Sequence, residues 1–141
     1  MKKEFGLTLT EREFFRAYVE MLKPFLKRIR DREADVFAEL IFWNYKKRDI
    51  KNKNDRFKLI MDADCWRQIE EKLGVSTAIF RNALTGLRGR GLLLDDNTIN
   101  DVYLVTPEKK VTLSFVFNII NEAKSNGWVW RWFRVWFTWI G

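Results

Sequence analysis

The sequence predicts a mainly α-helical fold that closes with one small β-hairpin. Three observations carry this expectation. Apolar residues recur at spacings of three and four through residues 14–45 and again through 63–88. N-capping residues (Thr10, Asp62 and Ser76) stand ahead of helical segments, and the glycines Gly74 and Gly89 stand behind two of them. Two short apolar runs, Leu92-Leu93-Leu94 and Val102-Tyr103-Leu104-Val105, flank a stretch rich in turn-forming Asp and Asn.

Taken in order, Thr10-Glu11-Arg12-Glu13 fits a capping box, with Glu13 reaching back to the Thr10 backbone. The helix that follows carries a stripe of Phe14, Tyr18, Met21, Leu22, Phe25 and Ile29, and Pro24 kinks or splits it. A second helix over about 31–47 buries Ala34, Phe37, Leu40, Ile41 and Tyr45. Residues 46–58 read as a basic loop: Lys46, Lys47, Arg48, Lys51, Lys53, Arg56 and Lys58 against Asp49 and Asp55. At its end Phe57, Leu59 and Met61 alternate with Lys58 and Ile60 as a short strand. Asp62 caps a helix over 63–72, with Asp64 near its positive end, and Gly74 terminates it in the left-handed conformation. Ser76 caps a helix over 77–88, which Gly89 and Gly91 stop. Residues 92–94 and 102–105 then pair as a hairpin around Asp95-Asp96-Asn97 and Asn100-Asp101.

Thr106-Pro107-Glu108 combines a cap, a proline at the first helical position and an acid. The helix it starts runs to about Lys124 and ends at Asn126-Gly127, although residues 111–117 within it also have strand propensity. The expected organisation is therefore an N-terminal helical extension (1–30), a central domain (31–106), a C-terminal helix (107–126) and a Trp-rich tail (127–141).

Composition narrows the function classes. The 141 residues suffice for a core without disulfides, and Cys65 is the single cysteine. The absence of histidine removes Ser-His-Asp and Cys-His catalysis and histidine metal ligation. No phosphate-binding glycine loop occurs, and the carboxylates are scattered over solvated helix faces, so neither an enzyme nor a cofactor is expected. The formal net charge of +7 favours polyanionic partners. The Met-Lys-Lys start lacks the apolar stretch of a signal peptide, which points to the cytoplasm.

The segment Cys65-Trp66-Arg67-Gln68-Ile69-Glu70-Glu71-Lys72-Leu73-Gly74-Val75-Ser76 places Ile69, Leu73 and Val75 at core positions. It leads directly into Thr77-Ala78-Ile79-Phe80-Arg81-Asn82-Ala83-Leu84-Thr85-Gly86-Leu87-Arg88-Gly89-Arg90-Gly91-Leu92-Leu93. This order of helix, tight turn, helix and hairpin, covering about half of the chain, resembles the winged helix-turn-helix family. The resemblance implies a winged-helix domain over 31–106 and a recognition helix over 77–88. The Tyr103–Pro107 exit is also similar to plasmid replication initiators, where a wing strand ends in a proline before further structure.

On that helix Phe80, Ala83, Leu84 and Leu87 share the inward face, leaving Thr77, Arg81, Asn82, Thr85 and Arg88 outward. Arg can pair with guanine O6 and N7, and Asn with adenine N6 and N7, in the major groove. The helix start at Ser76-Thr77 offers backbone N–H groups to a phosphate. The expected contact set for double-stranded DNA is thus Ser76, Thr77, Arg81, Asn82, Thr85, Arg88 and Arg90, joined by Lys46, Lys47, Lys51, Lys53 and Arg56 from the basic loop. That loop also reads simply as a solvated connection. Against DNA stands the hairpin tip, with Asp95, Asp96 and Asp101 and no cation. Either this wing points away from the duplex, or the fold serves protein contact.

The tail carries five of the seven tryptophans and only two charges, Arg131 and Arg134, in residues 128–141. So much apolar surface has to be covered. As a helix, Trp128, Trp132, Trp136 and Trp139 share a face, and the segment is about 20 Å long, too short to cross a bilayer. As a strand, Trp128, Trp130, Trp132 and Trp136 align. The tail either completes the core or docks a protein partner or second subunit through Trp128, Trp130, Trp132, Phe133, Trp136, Phe137 and Trp139; binding at a membrane interface is the least favoured of the three. Two functions follow. The first is a DNA-binding regulator or replication accessory of bacterial, plasmid or phage origin. The second is a structural or adaptor protein of a larger assembly, such as a phage particle, where it would reside in the virion.

Overall fold

The computed structural model describes residues 6–26, 28–107, 111–114, 119 and 138–139. Two compact units are present, Met1–Thr106 and Pro107–Gly141. The first is mainly α, with five α-helices among the described residues: α1 (Glu11–Leu22), α2 (Asp31–Lys46), α3 (Lys53–Ile60), α4 (Ala63–Leu73) and α5 (Thr77–Gly89). No helix among the described residues is long and apolar enough to cross a membrane.

Helix α1 starts at the capping box: the Glu13 N–H donates to Thr10 Oγ1, and the Thr10 N–H donates to Glu13 Oε2. It buries Phe15, Tyr18, Val19 and Leu22. The inward face is therefore rotated from the expected stripe: Met21 and Phe25 are exposed, and Phe14 lies half-buried against Phe15 and Tyr18. Tyr18 and Leu22 belong to either stripe, and the position of α2 selects Phe15 and Val19. The helix stops at Leu22, ahead of Pro24, and a 3-10 turn over Lys23–Phe25 takes its place.

Helix α2 is the centre of the unit, packing against α1, α3, α4 and α5. Its buried face includes Ala34, Val36, Phe37, Leu40, Ile41 and two carboxylates, Glu33 and Glu39. Each acid is answered from another element. Arg90 forms a two-pronged pair with Glu33, at 2.9 and 3.0 Å, which holds that carboxyl below its ordinary range. Arg12 of α1 donates to both oxygens of Glu39 at 2.9 and 3.0 Å and lies over the Phe42 ring. Burial outweighs this attraction, and the Glu39 pKa is raised.

The expected strand at 57–61 is instead the end of α3. Asn52 caps this helix, accepting from the Asn54 and Asp55 N–H groups. Phe57 and Ile60, three apart, are buried while Leu59 is exposed. The cap and the three-residue period override the alternation. Consequently 46–58 is not one loop: Lys46 closes α2, while Lys53, Arg56 and Lys58 ride on α3.

Asp62 caps α4, which buries Cys65 and Ile69 and rests Trp66 on Phe80. Gly74 adopts φ +63°, and the Val75 N–H returns to the Glu70 carbonyl, closing the helix in the left-handed termination the sequence predicts. After α5 the expected two-stranded hairpin is reduced to a turn with no strand on either side. A single bridge joins Leu93 to Ile99, and Leu94 N–H donates to the Thr98 carbonyl. Asn97, at φ +65°, turns the chain early, so the return limb is Thr98–Asn100. Residues 101–103, expected to lie partly in the second strand, form a 3-10 turn capped by Asn100. Leu92, Leu93, Ile99 and Val105 still enter the core.

In the second unit, β1 (Leu113–Ser114) pairs antiparallel with β2 (Thr138–Trp139), setting Leu113 opposite Trp139. The expected helix over 107–126 is thus overturned at Leu113–Ser114, where strand propensity prevails. Trp139 lies in a strand. Trp128, Trp130, Trp132, Phe133, Trp136 and Phe137 lie outside the described residues.

Candidate nucleic-acid interface

The candidate surface is built on α5. Ser76 Oγ accepts from the Ile79 N–H at 3.3 Å and sets the start of the helix. Phe80, Ala83, Leu84 and Leu87 are buried, the four inward positions the periodicity predicts. Opposite them Thr77, Ala78, Arg81, Asn82 and Thr85 are exposed. The side chains of Arg81 and Asn82 hold no hydrogen bond or ion pair among the described residues. Both stand near a helix N-terminus, whose first N–H groups have no intrahelical acceptor.

Towards the end of α5 the cations are committed to the fold. The Arg88 guanidinium donates to Asn97 Oδ1 and, at 3.2 Å, to Thr85 Oγ1, tying the helix to the turn. Arg90 of the expected contact set is paired with Glu33. Its approach depends on Gly86: a Cβ there would lie 2.1 Å from Glu33 Oε2. Arg56 of the same set is likewise engaged within the fold. Its guanidinium donates to the Ile50 and Lys51 carbonyls and to Asn44 Oδ1, fastening the α2–α3 connection.

The remaining lysines differ among themselves. Lys46 pairs with Glu11 at 3.0 Å, and Lys47 sits over the Trp43 ring. Lys53 pairs with Asp101 at 3.4 Å. Lys51 is exposed and without a side-chain partner among the described residues. The acids of the turn are held in different ways. Asp96 accepts from the Thr98 hydroxyl and N–H, which hold its carboxyl below the ordinary range. Asp101 is matched by Lys53, so of these three acids Asp95 alone has no side-chain partner among the described residues.

No protein-family model, curated protein or solved structure matches the chain. The function therefore rests on the surface chemistry of α5. Asn97, Ala78 and Ile79 enter this surface without having been singled out in the sequence. The signal for Asn97 was its place after Asp95-Asp96, where a left-handed residue is favoured. For Ala78 and Ile79 it was the helical wheel, which sets both outside the Phe80-Leu84-Leu87 face.

Proposed function

We propose that the chain is a non-enzymatic protein that binds double-stranded DNA, with α5 as its reading helix, in the manner of winged helix-turn-helix regulators and replication accessory proteins. One observation carries the reading: α5 buries its apolar face and holds Arg81 and Asn82, which have no side-chain partner among the described residues, outward in its first half. A guanidinium and a carboxamide one residue apart supply the donors and acceptors that guanine and adenine edges require. The capped helix start and Lys51 add phosphate contacts. The reading calls for no cofactor and suits a cytoplasmic protein of bacterial, plasmid or phage origin.

Fluorescence anisotropy with labelled duplexes across a salt series tests it. Wild-type protein binds, with affinity falling as salt rises. Lys51→Ala weakens binding on every sequence and lowers the salt slope by about one unit. Arg81→Ala costs about 1–3 kcal/mol on a preferred site and much less on random DNA. Absence of duplex binding by the wild type at low salt overturns the reading.

The tryptophans of 128–141 favour a second reading, an adaptor of a larger assembly such as a phage particle, held by that segment through a protein partner or self-association. Removal of the segment separates the two.

A further inference from the structure

We infer that Ile79 is a specificity-determining residue of the α5 surface and that it recognises the C5-methyl group of thymine; this rests on the DNA-binding reading above. Ile79 is 42% exposed although it stands only one residue before the fully buried Phe80. The helical repeat explains its position. Ala78, Asn82 and Thr85, at steps of four and three, form the outermost line of α5, and all three are exposed. Arg81 flanks that line on one side and Ile79 on the other. The outward face is thus asymmetric, with a cation along one edge and a branched hydrocarbon along the other.

The major groove presents mostly hydrogen-bonding edges; the apolar group it displays is the thymine methyl. A hydrocarbon side chain carried into the groove by α5 gains there by covering that methyl, and loses against any other base edge by desolvating it unpaired. Ile79 is well suited to the task. Its N–H is held by Ser76 Oγ, so the backbone beneath it is fixed by the cap. Its β-branch leaves few rotamers, so little freedom is lost on contact. Ala78, beside it in the first turn, is small enough to let the helix approach closely. The expected recognition element therefore combines a guanine opposite Arg81, an adenine opposite Asn82 and a thymine on the Ile79 side.

The test begins with selection of preferred sites by the full-length protein from duplexes with a randomised centre. Each thymine of the selected site is then replaced by uracil, which removes the methyl and nothing else. Wild-type binding falls about threefold to fivefold at one thymine, the effect of uncovering one methyl-sized contact. In Ile79→Ala the discrimination between thymine and uracil disappears at that position, while Arg81→Ala retains it and loses preference at guanine instead. Circular dichroism of each variant confirms the fold. If the wild type selects a site but is indifferent to every thymine methyl, or if Ile79→Ala discriminates as the wild type does, the Ile79 assignment is overturned and DNA binding stands. If no duplex is bound, both fall together.

Discussion

Replacing Gly86 with alanine is expected to destabilise the helical unit, although alanine favours a helix interior by about 1 kcal/mol over glycine. The new Cβ would stand 2.1 Å from Glu33 Oε2 and 2.7 Å from its Cδ, where ordinary contact begins at 3.4 Å. The carboxylate must therefore retreat by about 1.3 Å. That retreat takes it out of its 2.9 and 3.0 Å bonds with Arg90 and strains the 3.2 Å bond from the Arg30 N–H. Overpacking of this kind costs about 1–3 kcal/mol, so after the propensity gain the net change is a loss of up to about 2 kcal/mol, centred on about 1 kcal/mol. In a Glu33→Ala background the obstruction is gone, and Gly86→Ala becomes stabilising by about 1 kcal/mol. The two sites thus couple by about 2 kcal/mol. Urea unfolding of the four proteins, followed by far-ultraviolet circular dichroism, measures the cycle. Additive effects, with Gly86→Ala equally harmful in both backgrounds, would falsify the steric argument. Stabilisation by Gly86→Ala alone would do the same.

Two further outcomes are expected. The Tyr18 hydroxyl donates to the Tyr103 carbonyl at 2.9 Å, and burial, aided by the Tyr103 charge, pushes its pKa up to about 12. The folded state holds this proton more tightly than the unfolded chain, whose tyrosines titrate near pH 10. The resulting stability is full below that pH and is lost as pH rises towards 12. Tyr18→Phe should cost about 0.5–1.5 kcal/mol at neutral pH and abolish this alkaline slope; an unchanged slope in urea titrations shows that another group causes it. Deletion of 128–141 is expected to leave the helical circular dichroism per helical residue intact while lowering the oligomeric state or partner binding in sedimentation velocity. A truncated chain that unfolds instead assigns the tail to the core.

The helices whose ends carry their own chemistry were legible in the sequence. Thr10, Asp62, Ser76 and Gly74 sit where they were expected, and so do the buried Phe80, Ala83, Leu84 and Leu87. Local caps and a period fix such segments without reference to the rest of the molecule. The misjudged places are those where two patterns compete. Phe57-Leu59-Met61 alternates like a strand, yet Phe57 and Ile60 also satisfy a helix, and Asn52 decides between them. Phe14 and Phe15 are adjacent, and only the neighbouring α2 determines which one turns inward. Among the site residues, Arg81 and Asn82 face outward as their spacing from Phe80 requires. Arg90 and Arg56 could not be distinguished from surface arginines by sequence, because Glu33 lies fifty-seven residues from Arg90 and the acceptors of Arg56 are mainly backbone carbonyls. The glycine in the middle of α5 was the available clue that a neighbour comes close.

The two buried glutamates of α2 make that helix a keyed part. Hydrocarbon faces tolerate sliding, since leucine against leucine is much the same one turn along. Glu33 and Glu39 are not interchangeable in this way. Each is answered by a single nearest guanidinium, one arriving from before α2 in the chain and one from after α5. A slip of one helical turn, about 5.4 Å, would strand both carboxylates in apolar surroundings at once. The arrangement penalises alternative alignments of α1 and α5 on α2 together, so the seating of α5, and with it the direction its outward face takes, is keyed by the Arg90–Glu33 pair as well as by its apolar face.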